Sequence, residues 1–306
     1  MDFNPSEDAK QLNEIIKSKN KDDTKLIKLV TSRTNEERMK IKDEYNSTFN
    51  SDLIKDLQSA YHSDFKEVLV GLFYSRIDYD CYHIRKAVKG LGTDEAALIE
   101  ILATRTPEDI KQMKERYKEI FPGRDMVKDI KDDTSGSFWK VLSALLEGER
   151  GNNTNPNLEE CDKIADELYN AGMNKKNHED LFIQVFTKKS KKEIEMIGKK
   201  YHKKTGGNIL HDVQKFFSGD TKRAFVGIIY GMLSPSEYFA KLVNEAVKGL
   251  GTKDTTLIRI AITRDEIDMP QIKQFYKLMF NKDMIEDIID DTSGSYQKIL
   301  VELVSH

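Results

Sequence analysis

Cysteine and long apolar runs are both scarce in this chain. Its two cysteines, Cys81 and Cys161, show neither CxxC nor Cys/His spacing, which excludes a disulfide scaffold and a zinc module and indicates a reducing compartment. No apolar run approaches the roughly 18 residues that cross a bilayer, and the start, MDFNPSEDAK, is polar and acidic, unlike a secretory signal. We therefore expect a cytoplasmic protein that meets a membrane only at its periphery.

An excess of charge of one sign is also missing. The 306 residues hold 49 Lys and Arg against 52 Asp and Glu, a net charge of -3 although 33% of the residues are charged. This balance argues against nucleic acid as a partner and against a polybasic membrane patch, because both depend on a positive field. A hydrophobic fraction of 38% argues against disorder, and the length suggests about two domains.

A self-similar segment is the strongest pattern in the sequence. The stretch KGLGTDEAALIEILATRTPEDI, Lys89–Ile110, returns as KGLGTKDTTLIRIAITRDEIDM, Lys248–Met269. Four matched basic residues close an apolar stretch in successive copies: Arg33, Arg105, Lys189 and Arg264. The same offsets align four tyrosines, Tyr45, Tyr117, Tyr201 and Tyr276, and four apolar residues, Leu26, Leu98, Phe182 and Leu257. The chain therefore contains four repeats of roughly 70 to 80 residues.

The repeats divide the chain into consecutive segments. We expect an N-terminal tail at 1–8, repeat one at 9–77, repeat two at 78–149, a linker at 150–157, repeat three at 158–233 and repeat four at 234–306. The polar stretch Gly148–Asn157 contains the linker and predicts two halves, one formed by repeats one and two and the other by repeats three and four. With so short a tail, we expect no recruitment of a partner through an N-terminal amphipathic helix.

The periodicity of apolar residues predicts an all-α fold. Within a repeat these residues recur at helical spacing, with almost no strict alternation. Breaks at the glycine loop, at Gly123 and at the TSGS tetrads, Thr134–Ser137 and Thr292–Ser295, predict about five short helices per repeat. A Ser or Thr before an apolar helical run is expected to cap the following helix.

The loop Val88–Thr93 is the candidate binding segment of the sequence. Gly90 and Gly92 permit positive φ angles and a close backbone approach, so carbonyl oxygens can turn toward one point. A helix C-cap is the ordinary reading of a lone glycine, but here the glycine pair returns in an identical KGLGT string as Gly249 and Gly251. Phosphate cradling is the rival function, yet neither Walker nor dinucleotide spacing is present. Carbonyl groups match a hard cation better.

Calcium requires six to eight oxygen ligands, so the loop needs a carboxylate from elsewhere. Asp133 and Asp291 stand at matched places, each directly before a TSGS tetrad and about 40 residues after its glycine loop. A helical hairpin can return each acid to its loop. One carboxylate on a divalent ion leaves positive charge and open coordination positions that water or a phosphate oxygen can fill.

These features resemble the annexin family over Asp8–His306: GxGT followed by an acid and TSG, a fourfold repeat, and a longer linker between repeats two and three. The resemblance implies a curved disk of four five-helix repeats whose convex face binds calcium and, through it, acidic phospholipid. It also implies the ligands, namely the carbonyls of Val88, Gly90 and Gly92 with Asp133, and those of Val247, Gly249 and Gly251 with Asp291. Weaker accessory sites would use the Thr93 carbonyl with Glu95 and the Thr252 carbonyl with Asp254.

Repeats one and three depart from the pattern. In repeat one, Ser18 and Asn20 replace the glycines and Ala60 takes the position of the acid. In repeat three the loop reads Gly172 to Asn177, with Lys175 and Lys176, and Phe216 takes the position of the acid. We expect both repeats to lack the main site unless Asp64 or Asp220 supplies a site of different geometry. The expected count is two strong sites.

The sequence thus predicts a calcium-dependent binder of acidic phospholipid membranes, with Ca²⁺ as its cofactor, no small-molecule substrate and no enzymatic activity. With one carboxylate per site, we expect calcium affinities on the order of 10⁻⁵ to 10⁻³ M without lipid. The alternative is a cytoskeleton-associated structural protein, as in the alpha-giardin branch of the family. The matched arginines are expected to be buried and, by the resemblance, to bond backbone carbonyls.

Overall fold

The computed structural model describes residues 3–174, 178–249 and 251–305. In that part of the chain there are twenty α-helices and no strand, five helices in each repeat, so the predicted all-α class and helix count are confirmed. None of the helices in these ranges is both long and apolar enough to span a bilayer. By their contacts the residues form two compact units.

One unit holds repeats one and four, from the start of the described chain to Tyr79 and from Ser236 onward. The helices of repeat one are α1 (Pro5–Lys17), α2 (Asp23–Thr31), α3 (Asn35–Phe49), α4 (Leu53–Ala60) and α5 (Ser63–Leu72). Those of repeat four are α16 (Pro235–Val247), α17 (Asp254–Arg264), α18 (Met269–Phe280), α19 (Met284–Asp291) and α20 (Gly294–Ser305). Helix α2 packs on α20, and α5 packs on α17 and α20.

The other unit, Asp80–Pro235, holds repeats two and three. The helices of repeat two are α6 (Arg76–Ala87), α7 (Glu95–Thr104), α8 (Pro107–Ile120), α9 (Met126–Asp133) and α10 (Gly136–Glu147). Those of repeat three are α11 (Leu158–Asn174), α12 (His178–Lys188), α13 (Lys191–Thr205), α14 (Ile209–Phe216) and α15 (Gly219–Leu233). Helix α7 packs on α15, and α10 packs on α12 and α15.

The two units correct the predicted division into halves. Repeat one shares its unit with repeat four, and repeat two shares its unit with repeat three. The polar linker does not determine which repeats pack together. That pairing is determined by the second and fifth helices of each repeat, which bury their apolar faces against the same helices of another repeat. Such contacts join residues far apart in sequence and leave no local signal.

A buried tyrosine ties the third helix of each repeat to the fourth. All four tyrosines are fully buried. Each donates its hydroxyl to an aspartate of the following helix: Tyr45 to Asp56 (2.8 Å), Tyr117 to Asp129 (2.8 Å), Tyr201 to Asp212 (2.9 Å) and Tyr276 to Asp287 (2.6 Å). Burial and then this hydrogen bond raise the pKa of each tyrosine, so the hydroxyl keeps its proton. The fourth helix is thereby fixed in every repeat.

Hydroxyl caps were predicted correctly at some helices and wrongly at others. The third helices α3, α8 and α13 each begin with a capping box at Thr34, Thr106 or Ser190. In the tetrad of repeat two, however, Ser135 makes no side-chain cap bond. Thr134 instead donates to the carbonyl of Ile130 at 2.7 Å, which closes the preceding helix.

Of the matched arginines, Arg264 is buried as predicted, whereas Arg33 and Arg105 each keep about a tenth of the side chain exposed, and the partners of these two differ from those implied. Arg33 binds Asp8 (Nε–Oδ2 2.6 Å) and Arg105 binds Asp80 (Nε–Oδ2 2.6 Å), in both cases through two hydrogen bonds to a carboxylate of the first helix. Desolvation opposes the charge of Arg105, yet Asp80 outweighs it and the pKa of Arg105 is raised. Carbonyls are bonded by another arginine, Arg38, which reaches Leu72 and Val30.

We expect Asp80→Asn to lower the free energy of unfolding by about 3 kcal/mol, because Arg105 would stay buried without a carboxylate. Urea denaturation of both proteins measures this difference. Asp162→Asn is the matched control, since Asp162 pairs with Lys200 and Lys204 at an exposed surface where ion pairs contribute little. Equal destabilisation by the two substitutions would contradict the assigned role of the buried pair.

Candidate calcium sites

Two glycine loops have nearly the same backbone. In repeat two the Asp94 amide donates to the Ala87 carbonyl at 2.9 Å and closes the loop, and in repeat four Lys253 donates to Ala246 at 2.8 Å. Gly90 and Gly92 have φ angles of 121° and 84°, and Gly249 and Gly251 have 133° and 85°. A Cβ added at any of these glycines would meet no atom within 4 Å. Glycine is therefore required by backbone conformation and not by space.

A threonine joins each loop to its predicted acid. The Thr93 hydroxyl donates to Oδ2 of Asp133 at 2.6 Å and lies 3.0 Å from the carbonyl oxygen of the same residue. In repeat four the Thr252 hydroxyl lies 2.7 Å from Oδ2 and 3.1 Å from the carbonyl oxygen of Asp291. The structure thus brings both predicted acids to their loops, and a hydroxyl holds each carboxylate in place.

The oxygen atoms that the resemblance names as ligands have no competing partners. Within the described ranges, no residue donates a hydrogen bond to the carbonyls of Val88, Gly90 and Gly92, nor to those of Val247, Gly249 and Gly251. Oδ1 of Asp133 and Oδ1 of Asp291 likewise accept no hydrogen bond from a described residue. Each loop thus offers three carbonyls and one carboxylate oxygen, which is a donor set suited to a hard cation.

The two accessory positions differ from each other. Glu95 lies half-buried in the first turn of α7 and pairs with no residue of the described chain. Asp254 instead accepts a hydrogen bond from the Tyr296 hydroxyl at 2.9 Å. Burial, this hydrogen bond and the charges of Asp254, Asp64 and Asp291 raise the pKa of Tyr296, so its hydroxyl remains a donor. Repeat two has Phe138 at the position that matches Tyr296.

Repeat one has neither the loop nor the acid. The Ser18 hydroxyl donates to the Asn20 carbonyl at 2.9 Å and accepts from the Asn20 amide, so this turn satisfies its own polar groups. Ala60 is the last residue of α4, as Asp133 is of α9 and Asp291 is of α19. The sequence alignment therefore placed the missing acid correctly.

In repeat three, helix and aromatic packing occupy the described part of the loop position. Helix α11 continues to Asn174, the position that matches Gly90, so at that position the chain does not make the left-handed turn seen in repeat two. Phe216, the last residue of α14, lies against the backbone of Gly172, where an added Cβ would approach its ring to 2.2 Å. The predicted loop residues Lys175, Lys176 and Asn177 lie outside the described residues.

The rescuing acids considered from the sequence have other partners. Asp220 pairs with Arg223 in the first turn of α15. Asp64 lies near Tyr296, whose pKa its charge helps to raise. Neither observation builds a loop site in repeat one or three, so a rescued site stays a prediction without support from the contacts described.

Two contacts were missed by sequence reasoning. The threonines were assigned a carbonyl role, whereas their hydroxyls hold Asp133 and Asp291. The recurrence of Thr directly after each glycine pair, together with the recurring acid, was the available signal. The bond from Tyr296 to Asp254 had no comparable signal, because repeat two has phenylalanine there.

Comparisons with known proteins point to one family. A family model described as Annexin matches four segments of the chain, 7–72, 79–145, 163–228 and 238–303. Annexin A11 of Oryctolagus cuniculus is 36% identical over 302 residues, 98% of this chain but 60% of that protein. Annexin A13 of Mus musculus is 36% identical over 303 residues, 99% of this chain and 95% of that protein. This chain thus spans about 60% of the length of annexin A11.

Solved structures show the same fold. The structure of annexin III superposes with a TM-score of 0.95 at 29% identity and covers 100% of this chain and 95% of that one. A calcium-bound structure of alpha-14 giardin gives a TM-score of 0.87 at 20% identity over 98% of this chain and 99% of that one. At that identity the likeness to the giardin shows the fold alone.

We expect that Phe216→Asp will not add a calcium site to repeat three, because α11 stays helical through Asn174, the position that matches Gly90. Calcium titration calorimetry of the variant and the parent measures the number of ions bound per chain. Asp133→Phe is the reciprocal control and should remove one ion. A gain of one ion in Phe216→Asp would show that the acid alone determines the site.

Proposed function

Because the chain belongs to the annexin family, which is known for calcium-dependent phospholipid binding, we propose that repeats two and four bind calcium and through it acidic phospholipid membranes. The observation that carries the proposal is the hydroxyl contact that holds Asp133 beside one glycine loop and Asp291 beside the other. In the proposed sites Val88, Gly90 and Gly92 act with Asp133, and Val247, Gly249 and Gly251 act with Asp291. The ion would supply a positive charge to which a lipid phosphate can bind.

The residues fit a calcium ion by their chemistry. All eight groups are oxygen donors, and calcium accepts backbone carbonyls and carboxylates in flexible geometry. Three carbonyls and one carboxylate leave coordination positions for water and for a phosphate oxygen of a lipid. The loop around the glycines is open, since nothing lies within 4 Å of the Cβ positions of Gly90 or Gly249. A membrane surface can therefore reach the ion without a rearrangement of the loop.

Charge explains why binding would depend on calcium. The chain has a net charge of -3. Negative charge is concentrated at each proposed site, where two aspartates are adjacent in sequence: Asp132 and Asp133 in repeat two, and Asp290 and Asp291 in repeat four. An anionic bilayer repels such a surface. A divalent ion reverses the local charge and so acts as both bridge and switch. We therefore propose peripheral association with membranes that begins when the calcium concentration rises.

We propose that the accessory sites are unequal. Thr93 with Glu95 retains an uncommitted carboxylate, whereas Thr252 with Asp254 must compete with the Tyr296 hydroxyl for the same acid. An ion that takes both oxygens of Asp254 would leave the part-buried Tyr296 hydroxyl without its partner, so Asp254 is the weaker ligand in this proposal. The accessory site of repeat two should fill first.

We assign no catalytic step to these sites, because the carbonyls and single carboxylate of each serve as ligands and supply neither a nucleophile nor a general base. The cytoskeletal alternative draws support from repeats one and three, whose sequences lack the glycine pair and the acid. Co-sedimentation with microtubules in the presence of chelator would favour it.

We expect the protein to sediment with phosphatidylserine vesicles in calcium and to stay in the supernatant in chelator. Asp133→Ala combined with Asp291→Ala should abolish the calcium-dependent fraction, because each site would lose its only carboxylate. The helical circular dichroism spectrum should be unchanged, since both acids end their helices and support no core contact. Asp125→Ala with Asp283→Ala, which removes the acids at the other ends of α9 and α19, is the matched control.

Sedimentation that is equal in calcium and in chelator would refute the proposed function. Wild-type binding by the double variant would instead mean that the wrong ligands had been named.

We expect Glu95→Gln to reduce the calcium bound by the parent protein at millimolar concentration more than Asp254→Asn does. The reason is that Asp254 is committed to Tyr296 and contributes less to binding. Equilibrium dialysis against calcium measures the difference. Tyr296→Phe should raise calcium binding by freeing Asp254, and a fall on that substitution would contradict the inferred competition.

A further inference from the structure

A cavity of about 430 Å³ lies between α10 of repeat two and α12 of repeat three, inside the unit Asp80–Pro235. Its apolar lining consists of Trp139 and Ala144 on α10 and Ile183 on α12. None of these residues belongs to a glycine loop or to a proposed calcium site. A volume of this size falls in the range of pockets that hold small ligands, so the cavity is a candidate binding site in its own right.

Two sets of ion pairs between the repeats contribute charged residues to the lining, and carboxylates outnumber ammonium groups in both sets. Lys140 of α10 pairs with Glu179 (2.8 Å) and Asp180 (3.3 Å) of α12, and Lys188 of α12 pairs with Glu149 (2.9 Å) and Glu147 (3.3 Å) of repeat two. The two sets lie about 10 Å apart along the helices, at a rise of about 1.5 Å per residue. Because two acids share one lysine in each set, the cavity carries an excess of negative charge and complements a cation.

Trp139 is the only tryptophan of the chain, and it is half-buried at the cavity. Its indole contacts no aromatic ring of the described residues and donates no hydrogen bond to any of them. The Ser143 hydroxyl and the Gln184 amide also line the cavity and likewise have no hydrogen-bond partner in the described part of the chain. An indole without such neighbours can stack on a ring and attract a cation, and the two polar groups can bind to a ligand.

The matching pair of helices in the other unit, α20 and α2, provides an internal comparison. The residues that match Trp139, Ala144 and Gln184 there are Gln297, Glu302 and Lys28. The Gln297 amide donates to the carbonyls of Ile289 (2.7 Å) and Thr292 (2.6 Å), so it is bound to its own repeat. Repeats one and three have Lys66 and Lys222 at the position of Trp139. An aromatic residue at this position is therefore peculiar to repeat two.

We propose that this cavity binds a small organic cation that combines an aromatic ring with a primary ammonium group. The ring would pack on Trp139 and Ile183, and the ammonium group would meet the second carboxylate of one ion-pair set, Asp180 or Glu147. Both acids are exposed, and exposed ion pairs contribute little to stability, so either acid can change its partner at small cost. A ligand held between α10 and α12 would join repeats two and three without calcium.

The single tryptophan reports on this cavity directly. Titration of the full chain with phenylethylamine in chelator should reduce the quenching of Trp139 fluorescence by acrylamide and reach saturation, because the ligand covers the indole. Phenylpropionate has the same ring with the opposite charge, and ethylamine has the ammonium group without the ring. Each should bind about tenfold more weakly, which is the effect of one well-placed charge or ring contact on affinity. Equal protection by all three compounds would overturn the inference.

Variants test the ring contact and the charge contact separately. Trp139→Gln, which copies repeat four, should weaken phenylethylamine binding by about tenfold in titration calorimetry. Asp180→Asn combined with Glu147→Gln should have a similar effect, although each lysine keeps one acid. Glu302→Gln on α20 is the matched control and should leave the affinity unchanged. The helical circular dichroism spectrum of every variant should equal that of the parent.

A parent that does not bind phenylethylamine, or wild-type affinity in either Trp139→Gln or the double variant, would contradict the proposed cation site. Asp133→Ala should bind phenylethylamine as the parent does, since the titration is made in chelator and the cavity contains no proposed calcium ligand. The outcome is therefore independent of calcium-dependent sedimentation with vesicles.

Discussion

The hydrogen bond from a buried tyrosine to an aspartate is the constraint on which each repeat depends. It fixes the fourth helix, and the residue that ends this helix stands one turn after the aspartate: Ala60, Asp133, Phe216 and Asp291 in the four repeats. The anchor is the same in all four, whereas the terminal residue varies. The aspartate that anchors the helix and the residue that ends it are therefore different positions of one eight-residue helix. A repeat can lose the terminal acid and keep its fold.

Much of this architecture follows from local sequence pattern. Apolar periodicity and the repeat register predicted the helix count, the two glycine loops and the positions at which repeats one and three lack an acid, because all of these depend on spacing within one repeat. The pairing of repeat one with repeat four did not follow, since it is decided by helix faces such as those of α2 and α20 that meet only in the folded unit. The carboxylate partner of Arg105 escaped prediction for the same reason.

Repeats one and three show two physical routes by which such a site disappears. In repeat one the Ser18 hydroxyl donates to the Asn20 carbonyl, so that carbonyl already has a partner within the turn. In repeat three the helix extends and Phe216 fills the adjacent space, joining Phe182 and its aromatic neighbours. An aromatic side chain that packs in the core thus stands where repeats two and four have a carboxylate. The repeats that keep their loops retain backbone conformations that only glycine adopts without strain.

The closing hydrogen bond of each loop, from Asp94 to Ala87 and from Lys253 to Ala246, has a kinetic consequence. The backbone itself joins the ends of each loop, so a hydrogen bond within the chain closes the loop. In the proposed sites, binding and release would then require exchange of water on calcium and no folding of the loop. Under the proposed function, such a protein would follow the rise and fall of a calcium signal with little delay, and its lipid contacts would set how long it stays on a membrane.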